Sequence, residues 1–426
     1  MRQAPLRYFL NLTCRSTIDH VSESAGEVLE LVRSGRAATR SDLRRLTGMS
    51  RTAVVARVTA LTDAGLLLEG EELKSTGGRP PGGLVFNAGR GVVLGVAIGR
   101  SRAQVSVADL DGRELGAASV DHEEGSGPDV VMPQVAEQLA LLLAERAPAG
   151  SPGAEVFAVG LSLPGTIDPV RGLCIDSPVM AAWEGVDLRP HLASVTAAPV
   201  FVGNDADVLA RSERLGVARH LDDLIVLKAS TGLGLGIVAD GRVVSGHLGG
   251  AGEIGHTIVA GAAGRPCRCG NHGCLETIAG GWALVAASRE AGRPVGHIRD
   301  LVDLAASGDA EAKAQLREGG RLLGEVLAVA INLLNPQAVV VGGDMAAAFD
   351  VYAAGIRESV YARSTALATR DLQFLPSTFG DRAGVVGCVA MALDEVLSPD
   401  AVDARLLRSR PAPSSSAPEP AATRQL

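Results

Sequence analysis

The chain has 426 residues, which is enough for two or three domains that each bury a core. Its 46% hydrophobic and 21% charged residues are ordinary for a globular protein, and no apolar run approaches the length of a membrane span. The net charge of −8 argues against a protein covered by nucleic acid, although it permits one small basic face. Because residues 1–20 lack a continuous apolar stretch, we expect a cytoplasmic protein without a secretory signal, whose cysteines are reduced.

A helical pattern begins at Ser24, after residues 1–21, which show no periodicity and are left unassigned. A second, short helix begins at Thr39, whose hydroxyl can cap it while Asp42 completes a capping box. After a four-residue turn, Ser50 can cap a third helix with apolar residues on one face. Two helices joined by such a turn are typical of the helix-turn-helix arrangement.

The third helix presents polar residues where major-groove readers lie. The candidate DNA-reading residues of this helix and its cap are Ser50, Arg51, Thr52 and Arg57. Two strands follow, over residues 65–68 and 84–86, and the loop between them forms a wing in which Arg79 could enter a minor groove. These features predict a winged helix-turn-helix DNA-binding domain over residues 22–88. The alternative is a three-helix module that binds another protein.

Buried strands begin to alternate with helices after Asn87. The predicted elements are strands over 91–98, 103–110 and 156–163, a strand ending at 203, a hairpin of 224–228 with 235–238, a strand over 339–341, and helices over 129–145, 282–288, 311–334 and 384–397. Asn204 and Asp205 follow a strand directly, so they lie at the carboxyl edge where α/β ligand sites form. The pattern predicts an α/β domain over 89–397, in two lobes divided near residue 203, and a disordered tail over 398–426.

A dense group of soft ligands lies between the hairpin and the next helix. The candidate ligands are three cysteines within eight residues and one histidine upstream: His256, Cys267, Cys269 and Cys274. Thiolate and imidazole donors at this density suit one tetrahedral Zn²⁺, and a closed Cys₃His set indicates a structural site. The zinc would also fix two flanking carboxylates, Glu253 and Glu276, in space. The alternative is a metal-free group of buried thiols with a satisfied histidine.

The motif E-x-G-H followed by C-x-C-G-x-x-G-C-L-E resembles the signature of the ROK family (repressors, open reading frames, kinases). The likeness extends over about residues 22–397. It implies an actin-like, ribonuclease-H-like sugar-kinase fold with two lobes. The N-terminal segment also resembles the winged helix that the repressor branch of this family adds to that fold.

Two aspartates of the ROK kinases have distinct roles, and this sequence matches only one of them. One, in a D-x-G-G-T turn, handles metal and phosphate, and the other, in an N-D-A turn, takes the proton of the sugar hydroxyl. Asp205 matches the second, but Ala97 stands in place of the first and Arg100 replaces a glycine that approaches phosphate. Because phosphoryl transfer depends on charge positioning around Mg²⁺, no catalytic residue is expected. The alternative is an ATP-dependent sugar kinase, of glucokinase or N-acetylhexosamine kinase type, that retains a DNA-binding domain.

The sugar-binding half of the family's cleft is better matched. The residues that correspond to sugar-contacting positions are Gly165, Asn204, Asp205, Glu253, His256 and Glu276. Carboxylates suit sugars because each can accept hydrogen bonds from two neighbouring hydroxyls. Residues 177–180 depart from the family pattern where relatives often carry an asparagine, so the sugar stays open. The alternative is that Glu253 and Glu276 only brace the zinc loop.

Together these features predict a sugar-responsive DNA-binding transcriptional regulator, a repressor of carbohydrate metabolism genes, with a degenerate kinase site. Its expected partners are double-stranded operator DNA and a small sugar or sugar derivative. We expect a homodimer or homotetramer, because two recognition helices on a two-fold axis match a palindromic operator. A DNA-binding protein that ignores sugars is a third possibility.

Overall fold

The computed structural model describes residues 24–72, 82–145, 154–177 and 180–408. The chain forms two compact units, one of Met1–Asn87 with Pro399–Leu426 and the other of Ala88–Ser398. The unassigned residues 1–21, the predicted wing residue Arg79 and the end of the predicted tail, 409–426, lie outside the described residues. Within the described ranges, no helix has the length and apolar character needed to cross a membrane.

The N-terminal part of the first unit is a winged helix-turn-helix. Its elements are α1 (Ala25–Arg33), α2 (Arg40–Thr47), α3 (Arg51–Asp63), β1 (Leu67–Glu72) and β2 (Gly82–Phe86). Both predicted caps are confirmed: the hydroxyl of Thr39 accepts from the Asp42 N–H, and that of Ser50 from the Ala53 N–H, each at 3.1 Å. β1 and β2 pair antiparallel, as predicted for the wing.

The first lobe of the second unit is built on a five-stranded sheet. Its elements are β3 (Val92–Ile98), β4 (Arg102–Asp109), β5 (Glu114–Asp121), α4 (Pro128–Ala144), β6 (Val156–Leu163), the hairpin β7 (Thr166–Asp168) and β8 (Leu173–Asp176), and β9 (Val200–Asn204). The strand order is β5-β4-β3-β6-β9, with β3, β6 and β9 parallel. The central strands are buried almost throughout, as expected for parallel strands covered on both faces.

The second lobe repeats this plan. Its elements are α5 (Asp205–Glu213), β10 (Leu224–Ala229), β11 (Leu233–Ala239), β12 (Arg242–Val243), α6 (Glu276–Ala279), α7 (Gly281–Glu290), α8 (Ile298–Ala306), α9 (Ala310–Leu334), β13 (Ala338–Gly342), α10 (Phe349–Arg363), α11 (Ala366–Thr369), β14 (Gln373–Pro376) and α12 (Ala383–Val396). The strand order is β12-β11-β10-β13-β14, and the β10–β11 hairpin is as predicted. Each lobe has its own apolar core, so the predicted two-lobed α/β architecture is confirmed.

Helix α12 returns from the second lobe and packs on β3 and β6 of the first, which a single boundary near residue 203 did not anticipate. The same helix also packs closely against α5 of the second lobe, and Gly387 makes that contact possible. A Cβ atom there would lie 1.8 Å from the carbonyl oxygen of Val208, so only glycine allows the helix to approach α5 this closely.

The prediction of a disordered tail from residue 398 is wrong for its first part, because helix α13 (Pro399–Arg408) follows α12 directly. The carboxylate of Asp403 accepts hydrogen bonds from the backbone N–H groups of Ala25 and Gly26, both at 3.0 Å, and so caps the N-terminus of α1. The first unit is therefore built from both ends of the described chain.

Candidate functional site

A cavity of about 880 Å³ lies within the second unit, at the carboxyl ends of the parallel strands of both sheets. Its wall includes Ala97 from β3, Asn204 from β9 and Lys228 from β10. Side chains at this edge of an α/β sheet are brought together by strand direction alone. The volume is within the usual range of small-molecule pockets, which is about 300–1,000 Å³.

All six candidate sugar residues line this one cavity: Gly165, Asn204, Asp205, Glu253, His256 and Glu276. The side chain of Asn204 already makes hydrogen bonds within the protein: its Oδ1 accepts from the N–H groups of Ala206 and Asp207 at the start of α5. Its amide nitrogen donates to the Gly165 carbonyl at 2.8 Å. Asn204 therefore shapes the cavity floor through the loop at Gly165 as well as lining it.

Asp205 is paired with a residue that the sequence analysis did not select. The ammonium group of Lys228 donates to Oδ2 of Asp205, and both side chains are largely buried. The chain has only three lysines, and this one is the penultimate residue of the apolar strand β10, at the edge of the sheet that lines the cavity, a signal that could have identified it. An ion pair here occupies the carboxylate that matches the general base of the kinases.

The two carboxylates that flank the cysteine loop differ in environment. Glu276 is 7% exposed, and its two oxygens accept from the Leu233 N–H at 2.9 Å and from the Trp282 indole at 3.0 Å. Through these bonds Glu276 holds the Leu233 backbone and the Trp282 side chain in place. Only its remaining lone pairs could accept hydrogen bonds from a ligand. The Glu253 side chain is 43% exposed, so it is the more accessible of the two.

The four candidate metal ligands converge: their donor atoms all lie within 4.8 Å of one another. The Sγ atoms of Cys269 and Cys274 are 3.7 Å apart, and Nδ1 of His256 is 3.6 Å from Sγ of Cys267. A tetrahedral zinc with Zn–S bonds of about 2.3 Å separates two sulfurs by about 3.8 Å, so the spacing fits. The cluster can hold a metal.

The surroundings of the cluster also suit a metal. The other ring nitrogen of His256 faces Oε2 of Glu253 at 3.9 Å, which is the direction from which a carboxylate orients a metal-bound imidazole. Burial, and after it the thiols of Cys267 and Cys269, raises the pKa of the Cys274 thiol to about 12. Metal binding would displace this proton, because the thiolate is the ligand.

Ala97, which the family resemblance matches to the phosphate-site aspartate of the kinases, lines the cavity from β3, and Arg100 follows in the turn before β4. Arg100 is ion-paired with Glu124, which does not line the cavity. Burial, then the charge of Arg268, lowers the pKa of the Arg100 guanidinium. No carboxylate replaces the missing aspartate at position 97 itself, so this turn offers cationic rather than anionic groups.

Asp207, in the first turn of α5, is buried close to the cavity and accepts a hydrogen bond from the Ser245 hydroxyl. Burial raises the pKa of its carboxyl from 3.8 to about 6, although that hydrogen bond and the charge of Arg211 oppose the change. The ionised form is therefore disfavoured in the folded protein. Stability from this group is present below about pH 4 and declines as the pH rises towards 6.

Asp207→Asn is expected to stabilise the protein at neutral pH, because asparagine stays neutral and can still accept from Ser245. One pH unit of pKa difference corresponds to about 1.4 kcal/mol, so the gain at pH 7.5 should be about 2–3 kcal/mol. At pH 5 the gain should be about half as large. Thermal unfolding at both pH values tests this, with the exposed Asp371→Asn as control. An equal shift of the melting temperature at both pH values would contradict it.

The candidate DNA-reading residues are distributed unevenly on α3. Ser50, Arg51 and Thr52 are exposed, whereas Arg57 is half-buried. The apolar residues Val54, Val58 and Leu61 are buried on one face, as predicted. The exposed face continues through further residues that sequence reasoning missed: Val55, Ala56 and Thr59. Helical periodicity from Arg51 and Thr52 would have identified them.

Two sheets that share one cavity, with a His–Cys₃ cluster on its wall, define an actin-like α/β body, here joined in one chain to a winged helix-turn-helix unit. The ROK family model matches residues 93–395. The chain belongs to the ROK family.

Relatives and solved structures support both the family assignment and the combination of a kinase-like body with a regulator's DNA-binding unit. The xylose repressor of Bacillus subtilis (strain 168) is 26% identical over 362 residues, which cover 84% of this chain and 92% of the relative. The transcriptional dual regulator NagC of Escherichia coli (strain K12) is 29% identical over 351 residues, or 79% of this chain and 84% of NagC.

A ROK family transcriptional regulator, a homologue of the E. coli MLC protein, superposes with a TM-score of 0.76 at 28% identity, over 92% of this chain and all of that one. A ROK glucokinase from Streptomyces griseus, solved with glucose and AMPPNP, superposes with a TM-score of 0.58 at 27% identity. It covers 71% of this chain, and 99% of its own length is matched. The actin-like fold predicted from the sequence is thus confirmed.

Proposed function

We propose that this protein is a sugar-responsive transcriptional repressor with a structural zinc site and without kinase activity. The observation that carries the proposal is that one chain combines an exposed, capped recognition helix with a cavity of sugar-type residues that lacks an acidic residue at position 97. The relatives named as xylose repressor and as NagC match this chain over most of their own length, which supports the same role here.

The DNA-reading surface of this proposal is the outward face of α3, with Arg51 and Thr52 at its N-terminal end. Arg44 and Arg45 on the preceding helix are also exposed and could contact phosphates. Two such units on a two-fold axis would read two half-sites, so a homodimer or homotetramer on palindromic DNA is the assembly that fits best.

Arg51→Ala is expected to lower discrimination between operator and mismatched DNA by about 1–3 kcal/mol, the value of one bidentate arginine–guanine contact. Arg57→Ala should have a smaller effect, because Arg57 is half-buried. Fluorescence anisotropy with operator and scrambled duplexes at a fixed salt concentration measures both. The exposed Arg189→Ala, in the other unit, is the charge-matched control. Equal affinity of the wild type and Arg51→Ala for the operator would reject this docking.

The kinase reaction is expected to be absent for two reasons. Ala97 stands where the kinases carry the aspartate that handles metal and phosphate. Lys228 forms an ion pair with Asp205, which matches the family's proton acceptor. Phosphoryl transfer depends on these positioned charges. A coupled assay with ATP, Mg²⁺ and a panel of hexoses and N-acetylated hexosamines should show no turnover, with a ROK glucokinase as positive control. Turnover at roughly 1–100 per second, typical of kinases, would make the protein a sugar kinase with an appended DNA-binding unit.

The whole proposal is tested by selecting genomic DNA fragments with the purified protein and then titrating sugars against the selected duplex. We expect one sequence motif with two-fold symmetry and at least one sugar that changes the affinity for it. Selection of DNA without any sugar effect would leave a DNA-binding protein that is not a sensor.

A further inference from the structure

The exposed face of α3 is a continuous stripe that consists of Arg51, Thr52, Val55, Ala56 and Thr59. Residues at this spacing lie side by side on one face of a helix. Only Arg51 is charged, and each of the other members carries at least one methyl group. The Val55 residue is 43% exposed although it lies in the middle of the helix. Beyond its first residue, the stripe is therefore neutral and covered by methyl groups.

The two preceding helices expose residues of a different kind. The exposed residues are Glu30 and Arg33 in α1, and Ser41, Arg44 and Arg45 in α2. Charged side chains keep such faces soluble, whereas β-branched residues are weaker helix formers. Thr52, Val55 and Thr59 therefore add neither helix stability nor solubility to α3, which indicates that this face contacts a partner.

The charges around the stripe favour DNA as that partner. Arg51 begins the stripe, and two further exposed arginines lie on α2, which packs against α3. The only acidic residue of α3, Asp63, is its last residue, at the far end of the helix from Arg51. A neutral face with arginines near one end suits a major groove, where phosphates flank the uncharged edges of the bases. Among the base edges in that groove, only thymine presents an apolar group, its C5-methyl.

We propose that Val55, with Thr52 and Thr59 beside it on the stripe, reads thymine through the C5-methyl group in each operator half-site. This inference rests on the proposed DNA-binding function and adds the base that the helix recognises. Val55 follows Arg51 by four residues, which corresponds to about 6 Å along the helix axis. Base pairs are stacked about 3.4 Å apart, so the thymine should lie within about two base pairs of the guanine that Arg51 contacts.

The test replaces thymine by deoxyuridine, which pairs with adenine in the same way but lacks the C5-methyl group. The full-length, zinc-loaded protein first selects its operator from a pool of random duplexes. Each thymine of a half-site is then replaced in turn, and affinity is measured by fluorescence anisotropy at a fixed salt concentration. We expect one or two replacements per half-site to weaken binding about 3- to 5-fold, which corresponds to about 0.8 kcal/mol for each buried methyl group. Replacements outside the half-sites should have no effect.

Variants assign the methyl contact to the stripe. Val55→Ala should bind the thymine and uracil operators equally, with the affinity of the wild type for the uracil operator. Because alanine is the better helix former, a loss of folding would not account for this result. Thr59→Ser removes one methyl group but keeps the hydroxyl, so it should lose a smaller part of the preference for thymine. Val170→Ala, at a valine that is 92% exposed in the other unit, is the matched control.

The salt dependence of binding provides a second readout. The slope of log affinity against log salt should be the same for Val55→Ala and the wild type, because no phosphate contact is removed. A smaller slope in Val55→Ala would mean that the docking as a whole had changed, and it would count against a methyl contact.

Equal affinity for thymine and uracil at every half-site position would overturn the inference but leave specific DNA binding, and with it the proposed regulator, intact. A uracil effect that persists unchanged in both Val55→Ala and Thr59→Ser would also overturn it, because another part of the chain would then read the methyl group. Failure to select any DNA sequence would refute the proposed function as well, and the stripe would then be a surface for a protein partner.

Discussion

Cys269→Ser is expected to abolish stoichiometric metal binding, whereas the wild-type protein should contain one zinc per chain. The four donor atoms lie within 4.8 Å of one another, and a serine hydroxyl cannot replace the thiolate at neutral pH. Structural zinc contributes about 10–16 kcal/mol of apparent binding free energy in small domains, so its loss should release the loop between Glu253 and Glu276. Elemental analysis and thermal unfolding measure both consequences.

The winged helix-turn-helix unit should survive this change, because its core is separate from the cysteine loop. The variant is therefore expected to bind operator DNA but to have no response to sugar. Cys388→Ser is the matched control, since Cys388 is buried elsewhere and a serine could still donate to the Val96 carbonyl. Full zinc content in Cys269→Ser would reject the ligand assignment.

Glu253→Gln is expected to abolish the effect of sugar on operator affinity while leaving DNA binding without sugar intact. Glu253 is the more accessible of the two flanking carboxylates, and it lines the cavity with Asn204 and Asp205. Gln loses the charge and one acceptor position toward sugar hydroxyls. In the wild type, saturating sugar should change operator affinity about 5- to 150-fold, which corresponds to a coupling free energy of about 1–3 kcal/mol.

This coupling has a structural rationale. The cavity wall takes Asn204 from the first lobe and Glu253 from the second, so a bound sugar would favour one arrangement of the lobes. The chain passes between the two units at Asn87 and again at Ser398, and α12 packs on the first lobe just before the second passage. A change in the relative arrangement of the two lobes could therefore be transmitted to the DNA-binding unit through both chain connections.

Reciprocity makes the coupling measurable from either side. Operator DNA must change sugar affinity by the same factor by which sugar changes operator affinity. Calorimetry with and without the duplex, and anisotropy with and without sugar, should agree for the wild type and give no effect for Glu253→Gln. The exposed Glu290→Gln serves as control, and zinc content verifies that His256 still binds metal. A sugar that binds the wild type without any change in operator affinity would refute the sensor.

The sequence alone was sufficient wherever the determining residues are close together in the chain. The metal cluster is predicted by four residues between 256 and 274. The helix caps are predicted by hydrogen bonds between residues three positions apart. The hairpin at β10 and β11 and the central buried strands follow from local apolar patterns in the same way. Chain connectivity makes such contacts unavoidable once the local structure forms.

Contacts between distant segments were decided by the tertiary structure. Lys228 reaches Asp205 only because β10 and α5 pack together, and Glu276 receives the Leu233 N–H from a strand 43 residues earlier. Helix α13 was missed because the Pro-, Ser- and Ala-rich composition of the following residues dominated the pattern. Its Asp403 caps α1 from 378 residues away, and no local rule contains that pairing. The pairing of charges in the cavity depends on such packing and could not be read from composition or spacing.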